Sequence, residues 1–168
     1  MMFPPNQVTA SPVVAIHLGP DGMPAGATAA VRIAEPPEKI WPVIADVARG
    51  TAHIPMISKV KRDGARVTVL LRFRISLFSV GFQFEADATQ QEGEWLEIRW
   101  VAGEPKDLRI RFDLTPVADG TVVQVFCGFD LSSLGWLVKY FLKHHPEIQW
   151  GVFPGSALVL LESMKKGI

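Results

Sequence analysis

The stretch AEPPEKIWPVIADVARGTAHIPMI, residues 34–57, decides the fold class of this chain. Pro36 and Pro37 stand where a helix begins, because proline has a φ that suits the first turn and lacks only an amide hydrogen that would be unpaired there. Apolar residues then recur at helical spacing and mark a buried face: Ile40, Ile44 and Val47. The pattern ends at Gly50, and TAHIPMI predicts a second short helical turn leading into a sheet.

From residue 58 onward, the apolar residues change from the period of a helix to the period of a strand. Five stretches alternate apolar with polar residues: RVTVLLRFRI, GFQFEADA, EWLEIRWVA, DLRIRFDLTP and TVVQVFCGF. Short turns rich in Gly, Asp and Glu lie between them. This pattern predicts an antiparallel meander with one apolar face. The charged residues on its other face predict cross-strand ion pairs on a solvated surface, not an active site.

The C-terminal stretch SSLGWLVKYFLKHHPEIQWGVFPGSALVLLESMKKG, residues 132–167, returns to helical spacing. Because its two prolines interrupt a helix, we predict one helix over about 133–144, another from 146, and a bend near Phe153. One side of the last helix is apolar and predicted to be buried: Trp150, Phe153, Ala157, Leu160, Leu161 and Met164.

Residues 1–27 contain several prolines and glycines around one short apolar run, VVAIHLG. Such a segment cannot form a core alone, so it is either a loose arm or one added edge strand. The alternating stretch TAAVRIAE, residues 28–35, predicts the first strand of the main body. We therefore divide the chain into an N-terminal extension, 1–27, and one domain, 28–168.

Composition and charge argue against several classes of function. Hydrophobic residues make up 48% of the 168 residues, and no run approaches the roughly 18 apolar residues of a membrane span. Lysine plus arginine and aspartate plus glutamate both number 17, so no basic field favours nucleic acid as a partner. The single cysteine, Cys127, allows no intramolecular disulfide, and the first twenty residues show no basic leader. We expect a cytoplasmic protein.

The predicted order is one strand, two short helices, a long meander and a long C-terminal helix. With VRIAEPPEKIWPVIADVARGTAHIPMISKV and LTPVADGTVVQV, it resembles the polyketide cyclase/dehydrase and coenzyme-Q-binding branch of the START/Bet v 1-like (SRPBCC) superfamily over about residues 28–166. The resemblance implies an α+β helix-grip fold. In it, a curved antiparallel sheet wraps around the C-terminal helix and leaves a cavity between them.

Such a cavity is expected to bind an apolar small molecule, such as a lipid, a quinone or a polyketide. Large aromatic residues on the predicted inner faces are the candidate ligand-binding residues: Phe73, Phe84, Trp100, Phe112, Trp150 and Phe153. The amphipathic stretch LGWLVKYFLK adds aromatic residues beside lysines. Two uses for it stay open, namely transient contact with a membrane surface and cover for the edge of the sheet. The oligomeric state is left open too.

Two hypotheses for the function remain, a carrier of an apolar ligand and a polyketide cyclase/dehydratase. The enzyme would need a positioned acid or base, and His53 and Asp46 are the candidates. Cys127 lies on an apolar face and is expected to be an inert thiol. No metal-ligand spacing or cofactor motif is found, so we expect neither a metal nor a cofactor. A polar group with a perturbed pKa inside the cavity would favour the enzyme.

Overall fold

The computed structural model describes residues 2–75 and 77–168, without the side chains of Ile75 and Phe78. Within these residues the chain forms eight strands and four α-helices. The strands are β1 (Val13–Leu18), β2 (Pro24–Ile33), β3 (Ile57–Asp63), β4 (Arg66–Ile75), β5 (Phe78–Gln91), β6 (Trp95–Gly103), β7 (Lys106–Val117) and β8 (Gly120–Asp130). The helices are α1 (Pro37–Ala45), α2 (Val47–Gly50), α3 (Trp136–His144) and α4 (Gln149–Gly167).

All eight strands join one antiparallel sheet in the order β1-β2-β8-β7-β6-β5-β4-β3. Strands β3 to β8 are a meander in which each strand pairs with the next, as the alternating pattern predicts. The sheet curves around α4, and α1 and α2 follow β2. The predicted α+β helix-grip fold, with a curved sheet around a long C-terminal helix, is confirmed.

The core lies between the concave face of the sheet and α4. The helix contributes one stripe of buried residues: Phe153, Ala157, Leu160, Leu161 and Met164. The strands contribute their inward residues, among them Val31, Val67, Leu96, Val123 and Val125. Fully burying a side chain of this kind contributes roughly 1.5–3 kcal/mol, so this contact holds the helix against the sheet.

The convex face carries ion pairs between strands, as predicted. Arg66 of β4 binds Asp87 of β5, with 2.7 Å between nitrogen and oxygen. The Glu97 carboxylate, 8% exposed, accepts hydrogen bonds from Arg99 at 2.8 Å and Arg109 at 2.7 Å. Burial by itself would raise the pKa of Glu97, but the hydrogen bonds from these two arginines outweigh it and lower the pKa below its ordinary value.

The stretch 34–57 forms two helices where the spacing predicts one up to Gly50. The first begins after Pro36, as predicted, and ends one residue before Asp46. Asp46 has an extended backbone, with φ −90° and ψ 92°, and its carboxylate accepts a hydrogen bond from the amide of Arg49 at 3.2 Å. Asp46 therefore caps the N-terminus of α2, and this competing cap is why the continuous helix was wrong.

The last helix is also different from its prediction. The predicted start at 146 is a 3₁₀ turn, Pro146–Ile148, and α4 begins after it at Gln149 and continues through Pro154, its sixth residue. The bend near Phe153 stays a prediction. Trp150 lies three residues before Phe153 and was predicted to share its buried side, but it is 46% exposed. The next residue, Gly151, is exposed as well, so the first turn of α4 lies at the rim of the molecule and not over the core.

The C-terminal half of α4 is joined to α2 by hydrogen bonds. The hydroxyl of Ser163, a buried side chain, donates to the carbonyl of Gly50 at 2.8 Å and accepts from the amide of His53 at 3.3 Å. One turn further on, the guanidinium of Arg49 donates to the carbonyl of Gly167 at 2.8 Å. These bonds fix α2, the following turn and the end of α4 against one another.

The helix predicted over about 133–144 begins at Trp136, because Leu131–Leu134 form a 3₁₀ turn capped by Asp130. The two structures meet at Gly135, whose φ of 101° lies in the region that favours glycine. In the part of the chain that the structure describes, none of the helices combines the length and apolar character needed to cross a bilayer.

Residues of the N-terminal extension lie on both sides of β2. Val13–Leu18 form the edge strand β1, and β2 itself begins at Pro24, four residues earlier than the predicted strand. Upstream, the backbone of Phe3 exchanges two hydrogen bonds with the side chain of Gln124 on β8, at 3.2 and 2.9 Å. The extension therefore adds a strand and also covers part of the convex face.

Candidate ligand-binding cavity

A cavity of about 510 Å³ lies between α4 and the concave face of the sheet. Strands β4 to β8 form its floor, α4 crosses above it, and the end of α1, α2 and the turn after α2 line one side. The 3₁₀ turn Leu131–Leu134 contributes to another part of the wall. This volume is within the roughly 300–1,000 Å³ typical of small-molecule sites.

The floor of the cavity follows from the period of the strands. Because alternate side chains of a strand point to the same face, each strand contributes every second residue. These inward residues include Val67, Val69, Leu71 and Phe73 of β4, Leu96 and Ile98 of β6, and Leu108, Ile110 and Phe112 of β7. The alternating pattern in the sequence therefore determines an apolar floor.

The roof of the cavity contains two glycines one turn apart on α4, Gly151 and Gly155. Apart from its chain neighbours and the adjacent backbone of α4, a Cβ built on either glycine would have no described atom within 4 Å. The helix therefore leaves space at this position that almost any other residue would fill. Val159, one further turn along the same side, is 39% exposed and also lines the cavity.

Polar groups are rare on the cavity wall. Of the described lining residues, only Thr51 and Ser156 carry a side-chain oxygen or nitrogen. The hydroxyl of Thr51 donates to the carbonyl of Val47 at 2.6 Å, and that of Ser156 donates to the carbonyl of Val152 at 2.8 Å. Both donors are thus used within the protein, and each hydroxyl oxygen keeps capacity to accept.

The titratable group on the described part of the wall is the thiol of Cys127 on β8. Its side chain is buried, and burial raises its pKa to about 12. The thiol is therefore protonated at neutral pH, which makes it a poor nucleophile and a poor base.

Three of the six predicted ligand-binding aromatics line the cavity, namely Phe73, Phe84 and Phe112. The other three are placed elsewhere. Trp100 packs beside the core, and its indole N–H donates to the carbonyl of Gly103 at 3.0 Å. Trp150 lies in the exposed first turn of α4. Phe153 is 1% exposed and packs against Phe129, with 5.1 Å between ring centroids, so it fills the core next to the cavity.

Neither candidate acid or base faces the cavity. His53 is exposed, and its backbone amide is bound to Ser163. Asp46 is exposed and caps α2. Among the described residues, no group of three or more His, Cys, Asp or Glu side chains is placed to hold a metal ion.

The residues that sequence reasoning missed are Gly151, Gly155, Thr51 and Ser156. Glycine has no side chain to give an apolar pattern, although two glycines spaced i and i+4 inside a helix are themselves unusual enough to notice. Serine and threonine are common at helix ends, so their presence in the sequence indicates no particular role.

No protein-family model and no curated protein matches the sequence. Solved structures do match. The protein TTHA0849 from Thermus thermophilus superposes with a TM-score of 0.64 at 15% identity, over 83% of this chain and 94% of that chain. A START superfamily protein from Mycobacterium smegmatis gives a TM-score of 0.51 at 17% identity, over 79% of this chain and 97% of that chain.

A third match is the di-domain ARO/CYC StfQ from the steffimycin biosynthetic pathway. Its TM-score is 0.51 at 11% identity, over 83% of this chain and 48% of that chain. Identities this low show the fold alone. The chain has the helix-grip fold of the START (SRPBCC) superfamily, while its assignment to the polyketide cyclase and coenzyme-Q-binding branch stays a prediction.

Proposed function

We propose that this protein binds an apolar small molecule, such as a lipid, a quinone or a polyketide-like compound, in the cavity and carries it unchanged. The observation that supports this is the wall itself. Among its described residues, two hydroxyls and one protonated thiol lie between otherwise apolar side chains. Such a wall binds by removing apolar surface from water, at roughly 25 cal/mol for each Å² buried.

Within this proposal, Phe73, Phe84 and Phe112 contact the ligand. They come from three strands, β4, β5 and β7, and all point to the same concave face. Aromatic rings supply large apolar area with few rotatable bonds, so they lose little entropy when a ligand is bound.

The described residues do not favour the cyclase/dehydratase hypothesis. That reaction needs an acid or base positioned beside a carbonyl. His53 and Asp46 lie outside the cavity, and the thiol of Cys127, with a pKa of about 12, does not titrate near neutral pH. The fold shared with StfQ is not an argument for the reaction, since one fold supports many functions.

A carrier of this kind collects its ligand from an apolar phase, and we assign this contact to the outer face of α3. Val138 and Leu142 point inward and pack beside the core. The rest of the helix presents large apolar side chains to solvent: Trp136 (78% exposed), Tyr140, Phe141 and Leu137. We call these four residues and the two lysines of the helix, Lys139 and Lys143, the α3 surface.

Charge favours an anionic lipid bilayer as the occupant of the α3 surface. The helix, WLVKYFLKH, holds two lysines and no acidic residue. A second copy of the chain would bring like charges together, whereas lipid phosphates would neutralise them. Trp and Tyr are also the residues that prefer the headgroup level of a bilayer. In sequence, α3 lies between Leu134 and Gly151, which both line the cavity, so docking brings the bilayer near it.

Native mass spectrometry of the purified protein, followed by organic extraction, tests the carrier proposal. A stoichiometric apolar molecule that co-purifies unchanged would support it and name the ligand class. Two results would contradict it. One is an empty protein that also fails to bind a fluorescent reporter such as N-phenyl-1-naphthylamine. The other is conversion of a polyketone substrate into a cyclised product.

A further inference from the structure

The described lining residues of the cavity offer acceptors for hydrogen bonds but almost no free donors. We propose that the part of the ligand held inside it contains no carbonyl group and is a hydrocarbon chain, aliphatic or isoprenoid, with at most a hydroxyl. This inference rests on the proposed function, and it narrows the ligand from the wider set of lipids, quinones and polyketides.

The two hydroxyls of the wall carry the argument. Thr51 and Ser156 each donate to a carbonyl of their own helical turn, at 2.6 and 2.8 Å. A ligand carbonyl can only accept, so binding it would require one of these hydroxyls to give up its present bond. A ligand hydroxyl can donate to either oxygen without disturbing that bond. The wall therefore favours a ligand group that donates a hydrogen bond over one that can only accept.

Other sources of a donor are few. The residues of β4 that line the cavity are paired within the sheet, as are those of β7 and β8 except Leu108 and Phe129, which lie at a register shift between these two strands. The thiol of Cys127 remains protonated, but S–H is a weak donor. None of the described lining residues is an Arg, Lys, His, Asn, Gln, Tyr or Trp. A buried carbonyl would consequently lose its hydrogen bonds to water without replacement.

The size of this effect decides which ligands enter. Leaving one buried polar group unsatisfied weakens binding by about 5- to 150-fold. A poly-β-ketone chain has a carbonyl at every second carbon, so the penalty would multiply along the part that is buried. A quinone ring has two carbonyls and would bind only with the ring outside the cavity. A hydrocarbon chain carries no such penalty.

Competition against a bound reporter tests this inference on the full chain. Three probes share a straight thirteen-carbon skeleton: the alcohol with its hydroxyl on the central carbon, the ketone at that carbon, and a β-diketone. We expect the alcohol to displace N-phenyl-1-naphthylamine at about 5- to 150-fold lower concentration than the ketone, and the diketone to be weaker still.

A paired substitution identifies the groups responsible. In the double variant Thr51→Val and Ser156→Ala, the alcohol should lose its advantage over the ketone and the two affinities should become nearly equal, because the acceptors are gone. Ser58→Ala is the matched control, since the hydroxyl of Ser58 also donates to a backbone carbonyl, at 3.1 Å from Leu70, but lies outside the cavity. Its ratio of the two affinities should equal that of the unaltered protein.

The outcomes separate this inference from the proposal beneath it. If the reporter binds but the ketone competes as well as the alcohol, the inference that the cavity excludes carbonyl groups is wrong, while the carrier proposal stands. If neither the reporter nor any probe binds, the carrier proposal fails and this inference fails with it.

Discussion

Gly151 and Gly155 lie one turn apart on α4 and face the same cavity, and a methyl group added to either would meet no described atom within 4 Å beyond its chain neighbours and the adjacent helix backbone. Glycine inside a helix is less favourable than alanine by roughly 0.5–1 kcal/mol. Two such positions on the roof of one cavity thus preserve volume at a cost in helix stability. The contrast is Gly167 at the other end of α4, where a Cβ would meet a methyl carbon of Val43 at 2.7 Å.

The substitution Gly155→Leu should fill the cavity and leave the fold intact. Leucine favours a helix more than glycine does, so we expect the free energy of unfolding to stay constant or to rise by up to about 1 kcal/mol. Affinity for the fluorescent reporter should fall at least about tenfold, which a fluorescence titration measures. Ala48→Leu, at an exposed position of α2 outside the cavity, is the matched control and should bind normally. Unaltered affinity in Gly155→Leu would show that the ligand binds elsewhere.

Phe73→Ala and Trp150→Ala should differ in their effect on ligand binding. Both residues are partly exposed aromatics, but only Phe73 lines the cavity. Because Phe73 is not fully buried, its loss should destabilise the fold by less than the about 3–5 kcal/mol of a core phenylalanine. Reporter affinity should fall in Phe73→Ala and stay constant in Trp150→Ala, as measured by titration with the melting temperature recorded in parallel. A loss confined to Trp150→Ala would invalidate the cavity as the site.

The α3 surface should bind vesicles of phosphatidylcholine and phosphatidylglycerol mixed seven to three. Because Trp136 and Phe141 are exposed, the double variant Trp136→Ala, Phe141→Ala should fold normally and lose at least about tenfold in vesicle affinity, measured by flotation. Val14→Ala with Leu18→Ala removes exposed apolar side chains from β1 and is the control.

Charge gives a second test of the α3 surface. Substituting Lys139 and Lys143 by glutamate should abolish the preference for anionic over neutral vesicles, whereas the same change at the exposed Lys59 and Lys61 of β3 should not. Concentration-dependent dimers that the aromatic variant abolishes, together with no vesicle binding, would assign this surface to a second copy of the chain.

Glu97→Gln should change how stability depends on pH. The pKa of Glu97 is lowered in the folded protein, so its ionised form stabilises the fold at pH values above about 4.3, its ordinary pKa. That contribution is lost as the pH falls through the folded pKa. We expect Glu97→Gln to reduce the free energy of unfolding by about 1–3 kcal/mol at pH 7 and to flatten its decline in acid. Urea titrations from pH 3 to pH 7 measure this, and the exposed Glu92→Gln should follow the unaltered protein. Identical curves for both variants would refute a stabilising role for the ion pairs of Glu97 with Arg99 and Arg109.

Cys127 should resist thiol reagents in the folded state. With a pKa of about 12, its thiolate fraction at pH 8 is about a thousandfold below that of an ordinary cysteine. Modification by a maleimide should therefore be slow in buffer and fast in urea, as followed by mass spectrometry. Rapid reaction of the native protein would mean that the thiol is ionised, and Cys127 would then become a candidate nucleophile.

The fold was largely predictable because helices and strands space their apolar residues at two different periods, and both can be recognised in the sequence. Prolines at the start of α1 and alternation in the five strands act locally, so they can be recognised without knowledge of the partners. The break at Asp46 was missed because an aspartate can lie either inside a helix or at its N-terminal cap. Only the surrounding packing selects between these two positions. The start of β2 was misplaced because its pairing with β1 decides where it begins.

The candidate site was only half predictable. Strand period indicates which face Phe112 and Trp100 occupy, but not how far along the strand the cavity extends. Trp100 pairs with Ala86 of β5, next to a register shift between Glu85 and Ala86, and its indole N–H donates to the carbonyl of Gly103 at the end of the same strand. Likewise, Trp150 follows the helical stripe but is too close to the start of α4 to be covered.

The hydrogen bonds of Ser163 make the two ends of α4 mechanically unequal. Near its C-terminus the helix is anchored through Ser163 to Gly50 and His53, whereas near its N-terminus it presents Gly151 and Gly155 to open space. We therefore expect that a ligand larger than the cavity of about 510 Å³ displaces the N-terminal end of α4, where the contacts are apolar. The hydrogen bonds of Ser163 at the other end should remain intact. The cavity would then enlarge only at the N-terminal end of α4. How far this end can move sets the longest ligand chain that the protein accepts.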